Sequence, residues 1–227
     1  MIANRQLTGR KVLLLFSGGL DSTVLAHHLF KKGVALRLLS FNYGQRHHRE
    51  LEYAAITAHK LKAEYSVVDL SSLGPLLAGN SLTDNNIPVP EGHYSDPIQG
   101  DTIVPGRNAI MLSIALGIAA TENIIPVYIG AHRGDFGIYP DCREPFLRKF
   151  NEAMNMGLER EMIVSAPFHR ESKEGIVKIG NNIGVPFIDA YTCYNGGIVH
   201  CGKCGACNER KEAFSVAGLP DQIQYEE

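Results

Sequence analysis

No stretch of this chain approaches the roughly 20 consecutive apolar residues that a membrane-spanning helix needs, so a helical span is excluded at the start. An excess of one charge is also missing. The 22 Lys and Arg residues face 24 Asp and Glu residues, a formal net charge of −2, and no general electrostatic attraction to nucleic acid is expected. Residues 1–5 lack the charged-then-apolar layout of a signal peptide, which points to a soluble, cytoplasmic protein. No internal repeat is visible. The phosphate-binding string G-x-x-x-x-G-K-[ST] does not occur, nor does the dinucleotide string G-x-G-x-x-G. Cysteine is nearly absent from the first 190 positions, where only Cys142 stands. The other four crowd towards the carboxyl end, which favours a metal over a disulfide framework.

What is present is organised around residues 12–29. Val12, Leu13, Leu14 and Leu15 form a continuous apolar run, the pattern of a parallel strand buried on both faces. Leu20, Val24, Leu25, His28 and Leu29 then recur at helical spacing, and Gly33 stops the helix. Between strand and helix stands Ser17-Gly18-Gly19-Leu20-Asp21-Ser22. Glycines there let backbone N–H groups approach a ligand, and the helix start adds unpaired donors and the positive end of the helix dipole. An anion site follows from those features, with Ser17, Ser22 and Thr23 offering hydroxyls to it.

Further along, strands are expected over residues 34–41, 65–69, 126–130 and 162–165. Between them lie helices with Leu51, Ala54, Ala55 and Ala58 on one face, then Met111 to Ile118, then Phe146 to Met154. Ser172 is expected to cap a helix that turns Ile176, Ile179 and Ile183 inward. The alternation predicts an α/β fold with a doubly wound, five-stranded parallel sheet. Ligands bind such sheets outside the carboxyl ends of the strands, where the glycine turn and Tyr43 to Arg46 both fall. The 111–118 helix is apolar nearly all round, so burial between sheet and a partner is expected. From about Gly79 to Gly106 the periodicity lapses among prolines, and we expect a flap over the crevice.

Cys193, Cys201, Cys204 and Cys207 have the spacing C-x7-C-x2-C-x2-C. Four thiolates at such spacing suit a closed tetrahedral Zn²⁺ site of structural type, with an iron–sulfur cluster as the alternative. The organisation expected is an ATP-binding α/β domain over residues 1–190 and a zinc-binding lobe over 191–227.

Several motifs occur together. They are F-S-G-G-x-D-S-T, then Y-x-Q-R-H (Tyr43 to His47), V-P-G-R-N (Val104 to Asn108), Y-P-D-C-R (Tyr139 to Arg143) and T-C-Y-x-G (Thr192 to Gly196) with C-G-x-C-x-x-C. The glycine loop resembles that of the PP-loop ATP pyrophosphatases. The whole set, spread from about Val12 to Arg210, resembles the QueC family of 7-cyano-7-deazaguanine synthases.

That resemblance implies an adenine nucleotide alpha hydrolase-like sheet and an ATP-dependent ligase of queuosine-type nucleoside biosynthesis. The implied substrates are 7-carboxy-7-deazaguanine and ammonia, with ATP, Mg²⁺ and a structural Zn²⁺. No nucleic acid and no membrane are implied as partners, and a homodimer is. It assigns Phe16, Ser17, Gly18, Gly19, Leu20, Asp21, Ser22, Thr23, Val24, Leu25 and Ala26 to ATP. Within that segment Asp21 orients Mg²⁺ or the loop. Arg107 and Lys173 become phosphate partners, and Cys142 a candidate nucleophile. Tyr43, Gln45, Arg46, Asp141 and Arg143 are assigned to the substrate, with His47 as a candidate proton shuttle. Two other readings are weighed: an enzyme that modifies tRNA by sulfur transfer or lysine ligation, for which the near-neutral charge gives no RNA surface, and a zinc-ribbon interaction module with an idle nucleotide fold, which has no use for an intact Ser17-Gly18-Gly19-Leu20-Asp21-Ser22.

Overall fold

The computed structural model describes residues 8–94 and 97–226. Residues 1–5, on which the signal-peptide reading rests, lie outside the described residues. Five strands form one parallel sheet in the order β3-β2-β1-β4-β5. They are β1 (Lys11–Leu15), β2 (Ala35–Asn42), β3 (Glu64–Asp69), β4 (Val127–Tyr128) and β5 (Val164–Ser165). The central strand shows why its apolar run is unbroken. Successive side chains of a strand point to opposite faces. Accordingly Val12, Leu14 and Phe16 enter the core on one side of the sheet, while Leu13 and Leu15 enter the core on the other.

The helices cover both faces. On one side lie α1 (Leu20–Lys31), α2 (Glu50–Lys60), α5 (Lys173–Asn182) and α6 (Gly205–Ala217); on the other lie α3 (Arg107–Glu122) and α4 (Glu144–Leu158). Helix α1 ends as expected, with Gly33 at φ +72° just past it. Ser172 caps α5 by accepting from the Gly175 N–H, and Ile176 is fully buried. Two packing expectations need correction. On α2 the buried face is Ala54, Thr57 and Ala58, and Ala55 points to solvent. On α3 only Asn108, Leu112, Ala115, Leu116 and Ala119 are buried, so its Met111, Ile114 and Ile118 remain half-buried.

The expected strands at 126–130 and 162–165 shrink to two ladder residues each, because most of each apolar run lies outside the register Val127↔Val164 and Tyr128↔Ser165. The described part of the 79–106 segment, residues 79–94 and 97–106, is a packed cover. Leu82 and Ser81 are fully buried, the Arg46 guanidinium donates to the Asp84 and Ile87 carbonyls at 3.0 and 2.8 Å, and Gly92 N–H bonds to the Lys203 carbonyl at 3.1 Å. Those bonds tie the segment to both the β2 end and the cysteine lobe. Among the described residues no helix is long and apolar enough to cross a membrane.

Candidate active site

The glycine turn sits at the carboxyl end of β1. Gly18 has φ +83°, and a Cβ there would lie 2.8 Å from the Ala54 nitrogen, so the turn requires glycine. Ser17 Oγ accepts from the Gly19 N–H at 3.1 Å and meets Ser22 Oγ at 3.1 Å. The α1 start at Gly19 carries no side-chain cap. Its first-turn N–H donors and dipole therefore face the crevice uncovered.

That crevice holds about 240 Å³ and is walled by the turn, the ends of β1, β2 and β4, and residues from α3, α5 and α6. At one end lies a charge cluster. Lys173 Nζ donates to Asp21 Oδ2 at 2.7 Å and forms an ion pair with Glu209 Oε2 at 3.0 Å. His132 Nε2 stands 3.4 Å from the same ammonium and 3.5 Å from Asp135 Oδ1. Its Nδ1 accepts from the Gly134 N–H at 3.0 Å, which puts the ring proton on Nε2. Burial opposes ionisation of Asp21, but Lys173 and His132 outweigh it and hold the carboxyl below its usual range. Glu209 goes the other way: burial dominates and pushes its carboxyl up. Burial also works against the Lys173 charge, yet Asp21 and Glu209 keep it firmly protonated. Asp21 Oδ1 is buried with no hydrogen-bond partner, so one carboxylate oxygen is left for a cation.

The opposite wall is aromatic and basic. Arg107 opens α3, its guanidinium 6.0 Å from the Tyr43 ring centre and 5.8 Å from that of Tyr139. Tyr139 hydroxyl meets Thr102 Oγ1 at 2.7 Å and the Tyr194 hydroxyl at 3.3 Å. Tyr94 leans in from the cover and donates to Asp135 Oδ1 at 3.0 Å. Aromatic faces of this kind can stack against a flat heteroaromatic ring, and a guanidinium beside them can pair with an anionic substituent.

Of the residues singled out in the sequence, Phe16, Ser17, Gly19, Leu20, Asp21, Ser22, Tyr43, His47, Arg107, Cys142 and Lys173 line this crevice. Others do not. Val24, Leu25 and Ala26 are fully buried in the apolar core. Gly18 and Thr23 also lie behind the wall, Gly18 against α2 and Thr23 fully buried. Gln45 binds its own loop, accepting from Tyr43 N–H and donating to the Phe41 carbonyl and Glu50 Oε1. Arg46 is spent on the cover. Asp141 accepts from the Asn108 N–H and side-chain amide at 3.1 Å each, and so caps α3 from a distance. Arg143 is exposed and donates to the Phe136 carbonyl at 2.8 Å. Cys142 reaches the wall, but burial pushes its thiol up and its sulfur accepts from Asn108, so a ready thiolate is not provided. Glu209, His132, Asp135 and Glu50 carry ionisable groups into the crevice region that the sequence reading did not use.

At the start of α6, the four cysteine sulfurs lie within 4.8 Å of one another and all four residues are buried. None is in a disulfide. Tetrahedral Zn–S bonds of ~2.3 Å place sulfurs ~3.8 Å apart, and Cys201 and Cys207 stand at 4.0 Å. Backbone N–H groups of Cys201, Lys203 and Cys204 point at cysteine sulfurs at 3.3–3.4 Å, as they do around thiolates. The donor set fits a metal.

A protein-family model described as "Queuosine biosynthesis protein QueC" matches residues 11–218. The chain is 45% identical over 219 residues to a 7-cyano-7-deazaguanine synthase of Rhizobium johnstonii, covering 96% of this chain and 92% of that one. It is 42% identical to the enzyme of the same name from Alteromonas mediterranea, over 95% of this chain and 98% of the relative. Among solved structures, NMN synthetase from Francisella tularensis superposes with a TM-score of 0.52 at 17% identity, over 94% of this chain and 79% of that one. At that identity the likeness concerns the fold.

Proposed function

The chain belongs to the QueC family of queuosine biosynthesis proteins, and from that premise we propose that it converts 7-carboxy-7-deazaguanine and ammonia to 7-cyano-7-deazaguanine at the expense of two ATP. The observation that carries this reading is the Asp21–Lys173–Glu209 cluster set at an uncapped helix start, opposite an Arg107 framed by tyrosines, in one crevice.

A carboxylate is a poor electrophile. In the first round its oxygen attacks the α-phosphorus of ATP, pyrophosphate leaves, and the carbon now carries AMP as a leaving group. Ammonia adds, AMP departs, and the amide results. In the second round the amide oxygen is adenylated in the same way, and loss of AMP leaves the nitrile. The α1 N-terminus and Lys173 stabilise the departing pyrophosphate charge, and Arg107 orients the acid. Mg²⁺, held at the free Asp21 oxygen, would supply neutralising charge for the phosphates when bound. In our reading residues 191–227 form a lobe in which Cys193, Cys201, Cys204 and Cys207 hold a structural Zn²⁺. Family membership also supports a cytoplasmic homodimer using free ammonia.

Mass-spectrometric analysis of purified protein with the acid, ATP, Mg²⁺ and ammonium tests the proposal. Nitrile, AMP and pyrophosphate are expected, with at least ~100-fold loss in Asp21→Ala. ADP and phosphate would overturn adenylation, and no turnover by metal-loaded protein would overturn the substrate.

A further inference from the structure

The proposed chemistry strips protons from nitrogen three times. When ammonia displaces AMP, the nitrogen sheds one proton as the C–O pair leaves with AMP. During the second adenylation an amide N–H breaks, its pair becomes a C=N bond, and the amide oxygen takes the α-phosphorus. The remaining N–H then breaks, its pair forms the third C–N bond, and AMP leaves with the C–O pair. The charge cluster at Lys173 is arranged for phosphates, and its members are committed to one another.

Across the crevice lies a different group. Glu50 is the first residue of α2, which packs against the glycine turn through Ala54. Its side chain is 12% exposed, and it lines the crevice together with His47 and Tyr43. Gln45 fixes it by donating to Oε1 at 3.0 Å, and His47 Nε2 lies 3.6 Å from the same oxygen and 3.5 Å from the Tyr43 hydroxyl. His47 Nδ1 is buried with no hydrogen-bond partner. No cation forms a salt bridge with Glu50 among the described residues, unlike Asp21 and Glu209. A buried carboxylate with no cation against it, fixed by an amide and open to the reaction space, is a base rather than a structural counter-ion.

We propose that Glu50, with His47 beside it, is the proton acceptor of this crevice and takes the nitrogen-bound protons in the steps after the first adenylation. Each transfer forms an O–H on the carboxylate, and the proton returns to water before the next. The inference rests on the function proposed above. Burial raises the Glu50 carboxyl to about 7, against the opposing pull of Gln45 and of Arg107 from α3, so it accepts and releases protons near neutrality. Burial and then Arg107 lower His47 to about 3, which leaves its ring neutral, a hydrogen-bonding support and not a second base. Tyr65 from β3 and Tyr43, the other titratable groups facing Glu50, are both pushed up by burial and stay protonated.

The test separates adenylation from proton removal. Adenylating the acid needs no nitrogen base, so acid-dependent exchange of labelled pyrophosphate into ATP is expected to survive in Glu50→Gln. Conversion of the isolated amide to nitrile is expected to fall by on the order of 100-fold. In the wild-type protein, amide-to-nitrile turnover should rise with pH through about 7 and then level off, while pyrophosphate exchange lacks that limb. Starting from the amide removes the titration of ammonium from the comparison. Unchanged amide turnover in E50Q, loss of exchange along with turnover, or a pH limb shared by both wild-type assays would each overturn the inference. Absence of acid-dependent exchange in the wild-type protein would instead sink the function on which it rests.

Discussion

At the scale of single residues the telling arrangement is one ammonium between two carboxylates. Lys173 lies 2.7 Å from Asp21 and 3.0 Å from Glu209 in a buried setting. Removing one member of such a group leaves the rest uncompensated, whereas removing oppositely charged members together need not. Lys173→Met is therefore expected to destabilise the protein by about 3–5 kcal/mol and to cut pyrophosphate exchange by roughly 10²–10³-fold. Adding Glu209→Gln should restore much of the melting temperature and none of the exchange. If the double variant melts no higher than the single one, the cluster is not electrostatically coupled as described. This cluster was half legible in the sequence. Asp21 stood in a motif and Lys173 in a capped helix start, but they lie 152 positions apart and nothing local joins them. Glu209 gave one usable signal: an acidic residue two positions beyond a metal-binding cysteine, on a helix that must pack near the site. Asp141 and Arg143 were marked by their place in the Y-P-D-C-R motif, while the bonds they make, capping α3 and tying a turn, depend on which backbone groups the fold brings near.

Among the elements, the strand–turn–helix unit was the most legible, because each of its signals is local: an apolar run, glycines, then helical spacing. The two strands β4 and β5 were legible in place but not in length, since ladder pairing is a property of two strands and not of one. The cover was legible as non-periodic only. Its burial comes from Leu82 and from the Arg46 clamp, whose partners are carbonyls that no sequence pattern marks. Tolerance to change at the turn follows from its contact with α2. In Gly18→Ala the new methyl would sit 2.8 Å from the Ala54 nitrogen, at a φ of +83° that alanine resists. About 2 kcal/mol of destabilisation is expected, a fall in Tm of roughly 4–8 °C for a chain of this size. Calorimetry checks this, and a Tm within 1 or 2 °C of wild type, as orders of error go, would mean that α2 shifts freely. Such a shift would also move Glu50, so in that case amide turnover would fall although the Tm did not.

At the scale of the whole molecule the question is whether the cysteine lobe is a separate unit. Helix α6 argues that it is not. Its first turn contains Cys207 and begins directly after Cys204, so the four-cysteine cluster holds that end. Its middle carries Glu209 into the charge cluster and Arg210 into a fully buried position. The Arg210 guanidinium pairs with Asp221 at 2.9 Å and donates to the Ala190 and Phe187 carbonyls. Its far end adds Ala213 and Phe214 to the core shared with β1 and α1. One helix thus joins the cysteine cluster, the Lys173 end of the crevice and the main core. Binding of zinc to four thiolates is worth an apparent ~10–16 kcal/mol at neutral pH, as large as the ~5–15 kcal/mol that holds a whole domain. Stripping the metal should therefore unlock the start of α6, withdraw Glu209 from Lys173 and lower the melting temperature of the entire chain in a single transition. Pyrophosphate exchange should vanish with it and return when zinc is restored under reducing conditions. Two separate transitions, with exchange intact after the first, would show instead that residues 191–227 unfold alone and that the crevice stands without them.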